Sequence, residues 1–420
     1  MASLLEELKW RESFNQTTDE KGLDELLEEQ KIKAYVGVDP TAGSIHIGHL
    51  IPLTILRRLQ LRGHKPVIVV GGGTGMIGDP SGKKNERKLL SDEDIQKNVD
   101  SLKKQFENLF GTEGFEIVNN KDWLGQLDLI SFLRDYGKLF PINVMLKRDV
   151  VASRLEAGIS FTEFTYQILQ SIDFLTLFRQ GVQLQIGGSD QYGNISSGVE
   201  LIHKSEGSTA KAFGLTAPLL LKSDGTKFGK SEGGTVWLDE KLTSPYQLYQ
   251  FFLNQSDDDV IRLLKIYTFK TPEEIADLEI EVRDHPEKRV AQQELASEVV
   301  KFVHSDEALE QAKRITEILF NGNINDLTVD ELEAAFLGDA TVPTFEVHEN
   351  PINVVDLLVS EEVVEKSKRQ AREDVTNGAI TINGTKVTDI DAELDLKNNF
   401  EGKYVFVKKG KKKNFLGLIK

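Results

Sequence analysis

Two clusters of side chains in this 420-residue chain have the types and spacing to work on a phosphate. The first runs from Asp39-Pro40-Thr41 to His46-Ile47-Gly48-His49. Imidazoles flanking a glycine at the start of a helix can donate hydrogen bonds to phosphate oxygens. The free backbone N–H groups and the positive end of the helix dipole would reinforce them. Gly48 has no side chain, so a flat base or ribose can lie against the backbone there. The second cluster is Lys227-Phe228-Gly229-Lys230-Ser231, inside KSDGTKFGKSEGG. Two lysines three apart, among glycines 225, 229, 233 and 234, make a loop able to close over a triphosphate. It could stabilise the charge that grows on departing pyrophosphate. Either cluster alone reads equally well as an ordinary exposed loop.

Three further patterns bear on the chemistry. Tyr166, Gln170 and Asp173 stand at i, i+4 and i+7 among Phe164, Ile168, Leu169 and Ile172. They form a polar stripe that pattern alone would equally assign to a solvent-facing edge. Gly73-Thr74-Gly75-Met76-Ile77-Gly78 formally matches the dinucleotide fingerprint GxGxxG. That fingerprint needs a helix starting at the glycines, whereas Asp79-Pro80-Ser81-Gly82 is turn chemistry. A Walker A loop is excluded too, since three residues separate Gly78 from Gly82 and Lys84 stands where Ser or Thr is needed. The absence of cysteine excludes disulfides and cysteine-ligated zinc, and the seven histidines show no HExxH spacing.

The elements that must position these groups are legible. Residues 34–38 (AYVGV) and 67–70 (VIVV) read as buried parallel strands. Between them Leu53, Leu56 and Leu59, with Ile55, follow a helical period, and Gly63 is placed to end that helix. Strand, helix, strand is the βαβ unit of a nucleotide-binding sheet. Helices are expected near 91–110 and 163–178, and strands near 115–118 and 183–187. Beyond Pro245 the pattern is helical only. Thr271-Pro272-Glu273-Glu274 and Ser305-Asp306-Glu307 open helices. Residues 323–350 are weakly patterned and read as a linker. A last unit follows: a helix at 367–376 stopped by Asn377-Gly378, then AITI, Asn383-Gly384 and TKVT, a hairpin signature.

Charge supports a division of labour. The chain carries −16 overall, but Lys366–Lys420 carries +6, leaving −22 on the other 365 residues. A basic tail on an acidic body suits docking of a polyanion at one place. No apolar run reaches the roughly 18 residues of a membrane span. The start, MASLLEELKWRESF, is acidic where a signal peptide has a basic flank. A cytoplasmic location is expected.

Taken together, the HIGH sequence at 46–49 and KFGKS at 227–231 resemble the signature pair of the class I aminoacyl-tRNA synthetases. That family's usual second motif is KMSKS. Phe228 for Met and Gly229 for the first Ser give a form similar to the bacterial tyrosyl-tRNA synthetases. GGTGMIGDPSGK (72–83), ISFTEFTYQILQSIDF (159–174), LQIGGSDQYGN (184–194) and SKRQAREDVTNGAI near the C-terminus extend the resemblance over the full chain.

The resemblance implies a Rossmann-like α/β catalytic domain over 1–245, a helical domain over 246–322, a linker over 323–350 and a small α+β RNA-binding domain over 351–420. It also implies activation of L-tyrosine with ATP and transfer to tRNA(Tyr) by a homodimer. Magnesium would accompany ATP, with no zinc, DNA or membrane partner. His46, His49, Lys83, Arg87, Lys227 and Lys230 would then meet the triphosphate, with Ser231 completing the motif. Gly37, Asp39, Thr41, Gly48, Gly188 and Asp190 would meet ATP and its ribose. Tyr166, Gln170 and Asp79 would hold the substrate's α-ammonium, Tyr35 and Asp173 its phenol, and Gln185 and Gln191 would orient it. In the tail, Lys368, Arg369, Arg372, Lys408, Lys409, Lys411, Lys412 and Lys413 would meet tRNA phosphates. Val36, Pro52 and Tyr192 depart from the usual pattern; the family block around 188–194 has Trp in place of Tyr192. A non-catalytic RNA-binding paralogue and a tryptophan-specific relative are the alternatives.

Overall fold

In the computed structural model the apolar runs 34–38 and 67–70 pair as parallel strands in the middle of a six-stranded sheet. The structure describes residues 3–420 except 82–89, 153, 156–157, 224, 226–227, 232–233 and 411–412, with residues 149, 150, 230 and 231 described by backbone only. In chain order the strands are β1 (Gln16–Thr17), β2 (Lys33–Val38), β3 (Lys65–Val70), β4 (Glu116–Asn119), β5 (Val182–Gly188) and β6 (Phe213–Ala217). Their spatial order is β1-β6-β5-β2-β3-β4. All are parallel except β1, which runs antiparallel along β6. The chain winds outward from β2 through β3 to β4, and the other way from β5 to β6. Winding therefore reverses between β2 and β5, and in such sheets ligands bind outside the C-terminal ends of the strands at the reversal.

Helix Leu50–Leu61 crosses from β2 to β3 with Leu53, Ile55, Leu56 and Leu59 fully buried. Pro52 lies in its first turn, where no intrahelical N–H bond is lost. Gly63 follows its cap at φ +87°, the left-handed turn that glycine favours. Helices Asp92–Phe110 and Phe161–Arg179 start at side-chain caps from Ser91 and Ser160. The glycine run at 73–78 forms a short 3-10 turn, Thr74–Met76, and opens no α-helix, as its Asp-Pro-Ser-Gly sequel demands. This unit comprises Met1–Gly229 and Gln255–Leu295, so it includes helices Asp257–Tyr267 and Pro272–Asp284. Thr271 and Glu274 close the expected capping box on the latter.

The second unit comprises Lys230–Asn254 and Ala296–Lys420. Its five-stranded sheet runs in the order Thr385–Val387, Ile380–Ile382, Tyr404–Lys409, Lys413–Ile419, Thr344–Val347. The 380–387 hairpin turns through Asn383 and Gly384, both at positive φ. Strand Tyr404–Lys409 alternates as a two-sided strand must. Val405 and Val407 pack with Ala371 and Val375 of helix Lys368–Thr376. Tyr404 and Phe406 pack on the opposite face with Leu332 and Phe336.

That second face corrects one expectation. The stretch 323–350 is no linker: it carries helix Val329–Phe336, capped by Thr328, and edge strand Thr344–Val347, which pairs parallel with Lys413–Ile419. Fully burying a leucine or phenylalanine yields about 1.5–3 kcal/mol, enough to order a short helix whose period is too brief to read by itself. Among the described residues no helix is long and apolar enough to cross a membrane.

Candidate active site

β2 ends at Val38, and the chain then runs through Asp39–His46 into a 3-10 turn, Ile47–His49. His46 Nδ1 accepts from the backbone N–H of Gly48 at 3.1 Å, and His49 Nδ1 accepts from that of His46 at 3.2 Å. A ring nitrogen that accepts carries no proton. In each neutral ring the nitrogen that carries the proton is then Nε2. The rings stack with centroids 3.9 Å apart. A Cβ on Gly48 would lie 2.9 Å from His46 Cε1, so the glycine first makes room for this stacked pair. The loop is held from helix Asp92–Phe110. Gln105 accepts from Ser44 Oγ (3.1 Å) and Ile45 N (3.2 Å) and donates to the Gly43 carbonyl (3.0 Å), while Asn98 donates to the Pro40 carbonyl (2.9 Å). Sequence reasoning missed both amides. Their signal is a polar side chain beside the buried face of an amphipathic helix.

Asp39 stands at the strand reversal. One carboxylate oxygen accepts from Thr74 Oγ1 at 2.6 Å and the other from the Tyr166 hydroxyl at 2.7 Å. A Cβ on Gly71 would fall 2.0 Å from Asp39 Oδ1, which is why that site has no side chain. Burial, then the charges of Asp39 and Asp79, push the Tyr166 phenol well above its ordinary range. The polar stripe thus faces inward: Tyr166 and Asp173 are buried and Gln170 half-buried. Gly37 on β2 is exposed beside open space, with nothing within 4 Å of where a Cβ would stand.

Asp173, only 4 % exposed, has both oxygens bonded, one to Asn120 Nδ2 at 2.9 Å and the other to Trp123 Nε1 at 2.7 Å. Asn120 also donates to Thr74 Oγ1 at 2.9 Å, joining Asp173 to the Asp39 network. Burial raises the Asp173 carboxyl to about 7 against the pull of those two donors. Tyr35, on β2 opposite Gln185 of β5, is fully buried. Burial and then Asp173 push its phenol well up. Asp79 accepts from Gln191 Nε2 at 2.7 Å and from Ser81 N at 2.8 Å, which brings two of the predicted tyrosine ligands together. The hydroxyl of Tyr35 and the Oε1 atoms of Gln170 and Gln185 are buried and meet no partner among the described residues. An unmet buried polar atom costs about 1–3 kcal/mol. These three atoms therefore sit where a polar ligand would be rewarded. Gly188 and Asp190 lie at the end of β5, and a Cβ on Gly188 would approach Asp190 Oδ1 to 2.7 Å. Thr41 is exposed just beyond β2, Val36 is buried, and Tyr192 opens helix Tyr192–Glu206.

Gly229 of the second motif lies against Ile47 of the first. Gly229 is buried at φ +94°, where a Cβ would come within 2.6 Å of Ile47 Cγ2. Lys227, Lys83 and Arg87 lie outside the described residues. Lys230 and Ser231 are described by backbone, as a short strand antiparallel to Gly234–Thr235.

In the second unit Arg369, Arg372 and Lys413 are exposed, Lys408 is half-exposed, and Lys368 pairs with Asp356 at 2.5 Å. Lys409 differs from its neighbours. Its ammonium is bound by Glu365 and Asp374 within the domain, so its charge is already answered. Lys411 and Lys412 lie outside the described residues.

The family model "tRNA synthetases class I (W and Y)" matches residues 27–321, and "Tyrosine--tRNA ligase SYY-like C-terminal domain" matches 331–417. The chain is 63% identical to the tyrosine–tRNA ligase of Oenococcus oeni over 417 residues, covering 99% of each, and 60% identical to that of Limosilactobacillus fermentum over 418 residues, again covering 99% of each. Among solved structures, it resembles a C-terminally truncated mitochondrial tyrosyl-tRNA synthetase of Aspergillus nidulans, with TM-score 0.70 and 33% identity, over 76% of this chain and 95% of that one.

Proposed function

The chain belongs to the class I tRNA synthetases (W and Y), and from that premise we infer that it works as a tyrosine–tRNA ligase, in two steps through tyrosyl-adenylate. One observation carries the amino-acid assignment: Asp173, buried beside Tyr35 and pre-oriented by Asn120 and Trp123. A phenol hydroxyl can donate to this carboxylate, whereas phenylalanine would leave it without that bond.

Tyrosine brings its own nucleophile, an ionised carboxylate, so the first step needs no general base. The carboxylate attacks the α-phosphorus of ATP and the bond to pyrophosphate breaks. Positioning and charge stabilisation then supply the rate. We assign Nε2–H of His46 and of His49 to the triphosphate, with Lys83, Arg87, Lys227 and Lys230 as cations and Ser231 in support. Gly37, Asp39, Thr41, Gly48, Gly188 and Asp190 would take ATP and its ribose. Asp79, Tyr166 and Gln170 would take the α-ammonium, with Gln185 and Gln191 orienting the substrate. In the second step a hydroxyl of the terminal adenosine of tRNA(Tyr) attacks the adenylate carbonyl and AMP leaves. A cavity of 670 Å³ at the end of β5, with Lys147, Arg148 and Tyr192 in its wall, supports entry of that terminus. Arg369, Arg372, Lys408 and Lys413 would grip tRNA phosphates.

Residues 129–161 expose Leu129, Ile130, Leu133, Ile142, Leu155 and Phe161, the last at 72%. An apolar surface of this kind supports pairing of two copies in a homodimer. Magnesium is proposed as the companion of ATP. Cytoplasmic residence is proposed with the function.

The test is exchange of label between pyrophosphate and ATP, run with tyrosine, with tryptophan and without amino acid. Exchange with tyrosine alone is expected. Exchange with tryptophan alone would reassign the substrate, and no exchange alongside intact tRNA binding would indicate a non-catalytic RNA-binding paralogue.

A further inference from the structure

Helix Asp257–Tyr267 has no place in the reaction above, yet it touches the lysine-glycine segment near its start and again at Phe228. Near the start of the helix, Asp259 accepts from Ser223 N (3.0 Å), Ser223 Oγ (3.1 Å) and Ser256 Oγ (2.9 Å). One turn on, Arg262 Nη1 donates to the Leu221 carbonyl at 3.3 Å. At its last residue the Tyr267 ring stacks on Phe228 at 5.9 Å, 29° from parallel, and the Tyr267 hydroxyl donates to the Ile47 carbonyl at 3.3 Å. Tyr267 is fully buried, and burial keeps its phenol protonated and so a donor. Gly229, next to Phe228, leaves room for Ile47 on the same spot.

The C-terminal end of this helix is itself fixed. Arg58 Nη2 donates to the Thr268 carbonyl at 2.5 Å, and Arg11 donates to those of Lys265 (3.1 Å) and Lys270 (2.8 Å). Guanidinium groups at a helix C-terminus satisfy orphan carbonyls and oppose the dipole. Glu7 pairs with both Arg11 and Arg62, at 2.6 and 2.7 Å. Tyr267 therefore stands on an anchored end with one signature motif on its ring and the other on its hydroxyl.

We propose that Tyr267 is a positioning residue for adenylate formation, a strut whose ring and hydroxyl hold Phe228-Gly229 against Ile47 so that the two motifs act on one triphosphate. The proposal rests on the ligase reading. It is tested by tyrosine-dependent pyrophosphate exchange in Tyr267→Phe, Tyr267→Leu, Phe228→Leu and the Tyr267→Leu/Phe228→Leu double variant. Misplacement by about 1 Å can cost on the order of 10²-fold in rate. Tyr267→Leu is expected to lose kcat by about that much and Tyr267→Phe by roughly threefold to tenfold, with the KM for tyrosine within about twofold. Adding Phe228→Leu to Tyr267→Leu should cost little more, as two residues acting as a unit require. Wild-type kcat in both Tyr267 single variants would overturn the proposal. So would a loss matched by an equal rise in the tyrosine KM, or fully additive losses in the double variant. If Tyr267→Leu does not fold, Tyr267→Phe, which removes one oxygen and keeps the packing, decides the matter. Failure of the ligase reading shows separately, as absent exchange in the unmodified protein.

Discussion

Asp173 sits almost wholly buried with a donor on each oxygen, whereas Arg369, Arg372 and Lys413 stand in solvent on the tail domain. The two regions handle charge in opposite ways, as the different partners proposed for them would require. Telling tyrosine from a near-isostere takes a pre-oriented, desolvated group whose bond is missed when absent. A polyanion carries many phosphates, and exposed cations meet it through counterion release without a fixed geometry. The contrast teaches where a point substitution should act sharply and where it should act by degrees.

The largest effect is expected at the proposed triphosphate site. His46→Ala removes one proposed donor and should lower kcat for pyrophosphate exchange by about 10²–10³, with the KM for tyrosine little changed. A loss confined to KM would remove His46 from the transition state.

Asp173→Ala should follow, lowering kcat/KM for tyrosine by about 10²-fold and leaving that for phenylalanine level. Side-by-side exchange assays with the two amino acids read this, and equal losses for both would break the contrast. The tail should respond more gently. The triple variant Arg372→Ala/Lys408→Ala/Lys413→Ala should weaken tRNA binding by about tenfold and flatten its dependence on salt by roughly two to three counterions, while exchange stays intact. An unchanged salt slope would mean that these cations do not meet phosphate.

The smallest effect sharpens the buried side. Burial raises the Asp173 carboxyl to about 7. Below that pH it is neutral and its proton competes with the Asn120 and Trp123 donors; above it the group is ionised and accepts from the phenol as well. For the free enzyme, kcat/KM for tyrosine should therefore rise several-fold from pH 6 to 8 and level off. The rise should vanish in Asp173→Ala, and a rise that persists there belongs to another group.

How far the sequence could be read follows from where each signal resides. The β2–helix–β3 unit and the 380–387 hairpin are local patterns, so period and turn residues reveal them directly. The inward placing of Asp173 was legible only through the family motif around it, since its spacing on the helix fitted a solvent-facing edge as well. Asn120 and Trp123 were not, because they come from a short turn after β4, some 50 residues earlier by chain, with no periodicity to mark them. Helix Val329–Phe336 escaped notice because the Tyr404, Phe406 and Leu416 side chains that cover it lie far along the chain. For the same reason composition counts Lys409 as one more free cation, although Glu365 and Asp374 already hold it.

The paired imidazoles carry a consequence for calorimetry. With the main chain donating to Nδ1 of both rings, each neutral ring carries its hydrogen on Nε2 before any nucleotide arrives. Loading ATP then need draw no hydrogen ion from solution through this pair. The buffer dependence of the heat of nucleotide binding at neutral pH should therefore be the same in the unmodified protein and in His46→Ala.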